Sequence, residues 1–211
     1  MTFPDTKFDN IGAYSDAYFE QYAKASASVD RTKIADATKI LQRAYETKKN
    51  LYVCGNGGSA SISNHLVCDH GKLIATDTDL MPRTESLATN VEVITAIAND
   101  ISYDEVFAHQ LKIAADPGDV LMTVSSSGDS ENVVRASQWA LDNGLEVISM
   151  TGFTGGRTAK MATVNLHVDG DNYGVIEDVH QSLMHLMGQF MRQARMDENL
   201  IQQRKEFNVT L

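Results

Sequence analysis

Cysteine is nearly missing from this chain: among 211 residues there are two, Cys54 and Cys68, too few for a disulfide framework and read as reduced, buried residues. Proline is also scarce, at three. No stretch rich in proline, glycine and serine marks a linker, so the chain reads as one domain over 1–211. Two helices fill 1–48, an α/β core spans 49–196, and a tail occupies 197–211, where 202–207 reads as solvated. Basic residues are the minority, 18 Lys and Arg against 28 Asp and Glu, for a net charge of −10 without any basic block. That balance argues against nucleic acid as a direct ligand. No apolar run approaches the ~20 residues of a membrane-spanning helix. The first residues, Met1 to Asp5, lack the basic and apolar regions of a secretory leader. The expectation is a cytoplasmic protein without membrane contacts.

What is present is alternation. Ile11, Tyr14, Tyr18 and Tyr22, then Ile34, Ala37, Ile40, Leu41, Ala44 and Tyr45, repeat at helical spacing. The tyrosine stripe reads as packing. Strands are expected at 51–54, 86–88, 120–124, 146–150 and 164–168, with helices over 91–98, 103–114, 131–143 and 174–196. Strands separated by helices imply right-handed crossovers, hence a five-stranded parallel α/β sheet with helices on both faces. The last helix carries Leu183, Met184, Leu186, Met187, Phe190 and Met191 around much of its circumference, which predicts burial against a second subunit.

The first strand runs directly into Gly55-Asn56-Gly57-Gly58-Ser59. Glycines there let backbone N–H groups close on an anion, and a following helix adds a favourable dipole. His65 and Asp69 come one turn apart on that helix and are potential metal ligands. Alone, the segment is equally compatible with a tight turn and an ordinary helix histidine. The junction recurs after 120–124, where Ser125-Ser126-Ser127-Gly128-Asp129-Ser130 precedes another helix. A hydroxyl donates to a phosphate oxygen without bringing charge. One such serine, or Asp129, would cap the helix. Four at a strand's carboxyl end favour a ligand, because open parallel sheets bind there.

A third cluster is Glu177-Asp178-Val179-His180-Gln181, followed by His185. Glu177 and His180 have the i, i+3 spacing of helical chelates, whereas Glu177, Gln181 and His185 form an i, i+4, i+8 stripe. Spacing does not choose between them. A capped, solvated first turn accounts for Glu177 and Asp178 but poorly for His185, which sits among Met184, Leu186 and Met187.

These motifs together, with Gly155-Gly156, resemble the sugar isomerase (SIS) domain family, and within it the sedoheptulose 7-phosphate (phosphoheptose) isomerases, over nearly the whole chain. The resemblance implies a homotetramer of five-stranded α/β subunits with active sites at subunit interfaces. It implies that Ser59, Ser125, Ser127 and Ser130 hold a sugar phosphate beside Gly57 and Gly58, and that Asn56, Asp100 and Ser126 contact the sugar. His65, Asp69, Glu177 and His185 would surround one zinc ion per subunit and the reacting carbons. The chain departs from the family in having Asp69 for a glutamate, Glu177 for a glutamine, and a segment after Asp69 that is one residue shorter.

The implied reaction is aldose–ketose isomerisation through an enediol, with Asp69 as base, His185 as acid, His65 as a structural ligand, zinc as Lewis acid and no organic cofactor. The expected pair is sedoheptulose 7-phosphate and D-glycero-D-manno-heptose 7-phosphate, feeding lipopolysaccharide synthesis. Two other readings use the same fold: a non-catalytic tetramer that binds the replication initiator, and a phosphosugar lyase or sensor. Retention of His65, Asp69, Glu177 and His185 weighs against the former.

Overall fold

A computed structural model describes residues 3–201. Two helices lead, α1 (Ile11–Ser28) capped by the Asn10 side chain and α2 (Arg31–Glu46) capped by Asp30. Then follow β1 (Asn50–Gly55), α3 (Gly58–Cys68) with a π-helical turn (Asp69–Leu73), β2 (Arg83–Ser86), α4 (Val91–Asp100) and α5 (Ala108–Ala114). The chain continues through β3 (Val120–Val124), α6 (Glu131–Asp142), β4 (Glu146–Thr151), α7 (Gly156–Met161), β5 (Val164–His167) and α8 (Tyr173–Arg195). The strands form one parallel sheet in the order β2-β1-β3-β4-β5. Strand order reverses between β1 and β3, where a crevice opens at the carboxyl ends of such sheets. Register sets Gly55 level with Val124, so the glycine-rich and serine-rich turns leave the sheet side by side.

Alternation along each strand feeds two apolar layers. Leu51, Val53, Met122 and Val124 face α2 and α8, meeting Leu41, Ile176 and Met184. Tyr52, Cys54, Leu121 and Val147 face the other way, onto Phe107, Leu111, Val133 and Ala136. Each large apolar side chain so covered contributes about 1.5–3 kcal/mol of transfer free energy.

Several sequence expectations shift. The second strand is Arg83–Ser86 rather than 86–88. It is a sheet edge of polar residues, so no apolar run announces it. The helix expected over 103–114 divides into a 3₁₀ turn, Tyr103–Glu105, and α5. Cys54 is buried as expected but Cys68 is exposed, on the outer side of α3. Met187 and Met191 of α8 are covered within the chain itself, while Leu186 (41%) and Phe190 (57%) remain exposed. The tyrosine stripe does pack: Tyr14 and Tyr18 join Phe3 in an aromatic cluster, and the Tyr18 and Tyr22 hydroxyls bond Asp178 and Ser182 of α8 at 2.6 and 2.7 Å. The tail expectation for 202–207 falls outside the described residues. Among the described residues no helix is long and apolar enough to cross a membrane.

Candidate active site

Strands β1 and β3 deliver their turns to a cavity of about 140 Å³. Ser59, Ser125, Ser126, Ser127 and Ser130 line it with Asn56, Tyr173 and Glu177. The serine turn is fixed by backbone contact. Gly128 (φ 64°) and Gly156 (φ 59°) lie against each other so closely that a Cβ on Gly128 would fall 2.0 Å from the Gly155 carbonyl oxygen. Here the Gly155-Gly156 pair has its structural reason.

The capping explanation fails for Ser130: it is the residue before α6, yet its side chain makes no cap bond. Asp129 is engaged elsewhere, by Arg157 at 2.6 Å. The Ser125 and Ser127 hydroxyls accept from the backbone N–H groups of Gly128 and Asp129 at 3.2 and 3.3 Å, leaving their own protons to donate. Ser126 Oγ is buried with no partner, an arrangement that normally costs free energy and asks for a ligand or water.

Helix α3 begins on Gly57 and Gly58 without a side-chain cap, so no capping side chain occupies its first N–H groups. Into that space comes Glu177. A Cβ at Gly58 would lie 2.3 Å from Glu177 Oε2, so only glycine admits the carboxylate to the helix start. Burial, and then the neighbouring Asp178 charge, push the Glu177 carboxyl above the usual glutamate range.

Two turns along α8 the chemistry changes. His185 Nδ1 lies 2.5 Å from Asp69 Oδ2, and His65 Nε2 lies 3.4 Å from Asp69 Oδ1. Ligand atoms of His65, Asp69 and His185 all fall within 4.8 Å of one another. Two imidazoles and a carboxylate are a donor set suited to a catalytic divalent metal, which keeps a position open beyond three protein ligands. Glu177 is not in this group; it belongs to the serine cavity. His180, the i+3 partner of Glu177, faces the core, 3.3 Å from the Thr151 carbonyl, with burial pushing its pKa down to about 4. His70 is buried likewise, bonded to the Tyr45 hydroxyl at 2.7 Å, its pKa also pushed down to about 4 by burial.

Asp100, expected at the sugar, ends α4 and is bonded by Asn99; it does not line the cavity. Sequence reasoning missed three residues around the cavity. Asn132 forms a reciprocal amide pair with Asn56 at 2.9 and 3.0 Å, Tyr103 donates to Asn56 Oδ1 at 2.9 Å, and Tyr173 lines the cavity while meeting Phe153 edge to face. Asn132, an amide immediately after the serine turn at a helix position that faces the core, was the detectable signal. A larger cavity, about 410 Å³, lies between α1 and the approach to α8, lined by Lys24, Phe153 and Asp169 among others; it contains none of these serines or cluster histidines.

A parallel α/β sheet with a hydroxyl-lined crevice at its strand reversal places the chain among the open α/β proteins that bind a ligand at the carboxyl ends of their strands. The chain belongs to the SIS domain family, whose pattern matches residues 14–152, and with its relatives it is an isomerase. It is 36% identical over 169 residues to a phosphoheptose isomerase of Mycobacterium tuberculosis, covering 78% of this chain and 85% of that protein. Among solved structures, phosphoheptose isomerase of Neisseria gonorrhoeae superposes with a TM-score of 0.80 at 27% identity, covering 87% of this chain and 100% of that one. That of Francisella tularensis gives 0.80 at 28%, covering 89% and 99%.

Proposed function

We propose that the chain interconverts sedoheptulose 7-phosphate and D-glycero-D-manno-heptose 7-phosphate, as an aldose–ketose isomerase of the cytoplasm. The observation that carries this reading is the pairing of a hydroxyl-lined cavity, with its partnerless Ser126 Oγ, and a carboxylate–imidazole cluster, the two reached by one helix, α8, through Glu177 and His185. Glu177 and His185 are eight residues apart, about 12 Å along α8. A long phosphosugar suits that spacing better than a triose, with its phosphate among Ser59, Ser125, Ser127 and Ser130 and its carbonyl end toward the cluster.

In this reading the serines supply remote binding energy that aligns the reacting end. Asp69 takes a proton from the carbon beside the carbonyl, and His185 returns one or assists ring opening. His65, Asp69 and His185 would hold zinc, which when bound supplies Lewis-acid stabilisation of the developing oxyanion. Product NMR from a panel of ketose phosphates, run with and without zinc, tests the reading. Turnover of the seven-carbon ketose supports it; no turnover of any ketose phosphate overturns it.

The reading also includes a homotetramer, supported by Leu186 and Phe190 exposed on α8 and by Ile11 and Phe19 exposed on α1. A 23 kDa species by light scattering at micromolar concentration would remove it.

A further inference from the structure

Within the chain itself the rings of His65 and His185 are only partly held by packing. Their side chains are 47% and 35% exposed, and they touch each other edge to face with centroids 4.9 Å apart. Rings so open keep one orientation only if hydrogen bonds impose it. Asp69, 16% exposed, supplies half of that restraint, through a hydrogen bond with His185 Nδ1 at 2.5 Å and a longer polar contact with His65 Nε2 at 3.4 Å. The other half comes from Gln181, one turn before His185 on α8. Its Nε2 lies 3.1 Å from His65 Nδ1 and 2.9 Å from His185 Nε2. The four side chains close a ring: Asp69, His185, Gln181, His65 and back to Asp69.

We propose that Gln181 is a positioning residue for the two histidines, orienting both rings and setting which nitrogen of each carries the proton. The inference rests on reading the cluster as a metal centre. The logic follows from donor and acceptor capacity. An ionised carboxylate only accepts and an amide NH₂ only donates, so the ring is satisfied when His185 carries its proton on Nδ1 and His65 on Nε2. Each imidazole then turns its N–H toward Asp69, His185 donating at 2.5 Å and His65 standing at 3.4 Å, and gives its lone pair to Gln181.

A metal held on the Asp69 side needs lone pairs at those same nitrogens. The protons must then sit on His65 Nδ1 and His185 Nε2, which now need an acceptor. Glutamine provides one, because half a turn about its last torsion brings Oε1 to the place of Nε2. The same side chain therefore fits both states of the cluster, and partners that hold the outer N–H of a ligand histidine are typically worth 10–100-fold in metal affinity. Leucine at 181 would fill similar space and serve neither state. Glutamate at 181 would serve the acceptor role alone.

Two measurements on the full chain decide this. Zinc affinity is read by competition with a chromophoric chelator, for wild type, Gln181→Leu, Gln181→Glu and His185→Ala. Imidazole tautomers are read from long-range ¹H–¹⁵N correlations of the metal-free protein in mildly alkaline buffer. Expected are a loss of zinc affinity of at least about tenfold in Gln181→Leu, recovered in Gln181→Glu. Metal-free wild type should show His185 protonated on Nδ1 and His65 on Nε2, and in Gln181→Leu His65, left with only its 3.4 Å contact to Asp69, should show mixed tautomers. If Gln181→Leu matches wild type in affinity and tautomers while His185→Ala has lost zinc, the role of Gln181 is overturned and the metal centre stands. If wild type and His185→Ala bind zinc alike, the metal reading itself falls, and this inference with it.

Discussion

The serine cavity and the histidine–aspartate cluster meet α8 two turns apart, at Glu177 and His185, yet opposite means hold them. The cavity is a backbone construction. Its hydroxyls ride on turns fixed by glycine contacts at the carboxyl ends of β1 and β3, and Ser59, Ser125 and Ser126 are buried. The cluster is a side-chain construction. Its rings stand half in solvent, and Asp69 and His185 meet across 116 residues of sequence only because α3 packs on α8. A site built of backbone should lose one hydroxyl and keep its shape, whereas a site built of mutually bonded side chains should fail when one member changes.

The largest expected effect falls on the cluster. Asp69→Asn retains volume but cannot accept the proton, so kcat should fall about 10²- to 10⁴-fold while KM for the phosphosugar changes little. Steady-state kinetics with a raised KM and normal kcat would reverse the roles assigned to the two regions.

Histidines sharpen the contrast next, through stability. His70 and His180 have pKa values pushed from 6.5 to about 4 by burial. Between those values the unfolded chain binds more protons than the folded one, so stability rises with pH and is lost on acidification. The slope is about 1.4 kcal/mol per pH unit for each histidine. Urea midpoints should fall from pH 6.5 to pH 5, before most carboxylates titrate; a flat profile would show that these two histidines charge in the fold.

On the cavity side, Ser127→Ala or Ser130→Ala should weaken inorganic phosphate inhibition by about 1 to 2 kcal/mol with kcat largely retained. Ser126→Ala should weaken it too but leave the Tm unchanged or higher, because it removes a buried hydroxyl that has no partner. Loss of both Tm and kcat in these variants would mean that the cavity is as fragile as the cluster.

The smallest effect concerns Glu177. Its carboxylate stands at the start of α3, where a phosphate would seek the same N–H groups, so Glu177→Gln should strengthen phosphate inhibition a few-fold. Unchanged inhibition, with zinc affinity altered instead, would move Glu177 from the cavity to the cluster.

Much of the cavity could be read locally. A strand, a turn of glycines or serines and a helix follow one another in sequence, and parallel-sheet topology does the rest. The cluster was legible only as candidates, because helical spacing gives the face of a residue but not what stands opposite. Thus Glu177 with His180 looked as suitable as Glu177 with Gln181 and His185, until packing turned His180 into the core. Strand β2 was displaced for a related reason: four polar residues at an edge carry no alternation to read. Asn132 and Tyr103 escaped because their relation to Asn56 is made by the fold across 76 and 47 positions.

The π-helical turn after α3 has its own consequence. Asp69 lies in the cluster and its neighbour His70 in the core, where Tyr45 and the Met184 carbonyl receive it. The wide turn, closed by the Ile74 N–H on the Asp69 carbonyl, holds one more residue than an α-turn would. That surplus is slack in the chain. Shortening the segment by one residue can be absorbed by winding the turn tighter, with His65 and Asp69 left where they are. The same deletion inside α3 would swing every later side chain by about 100° and part Asp69 from His185. Length is thus adjustable immediately downstream of the ligands and fixed between them.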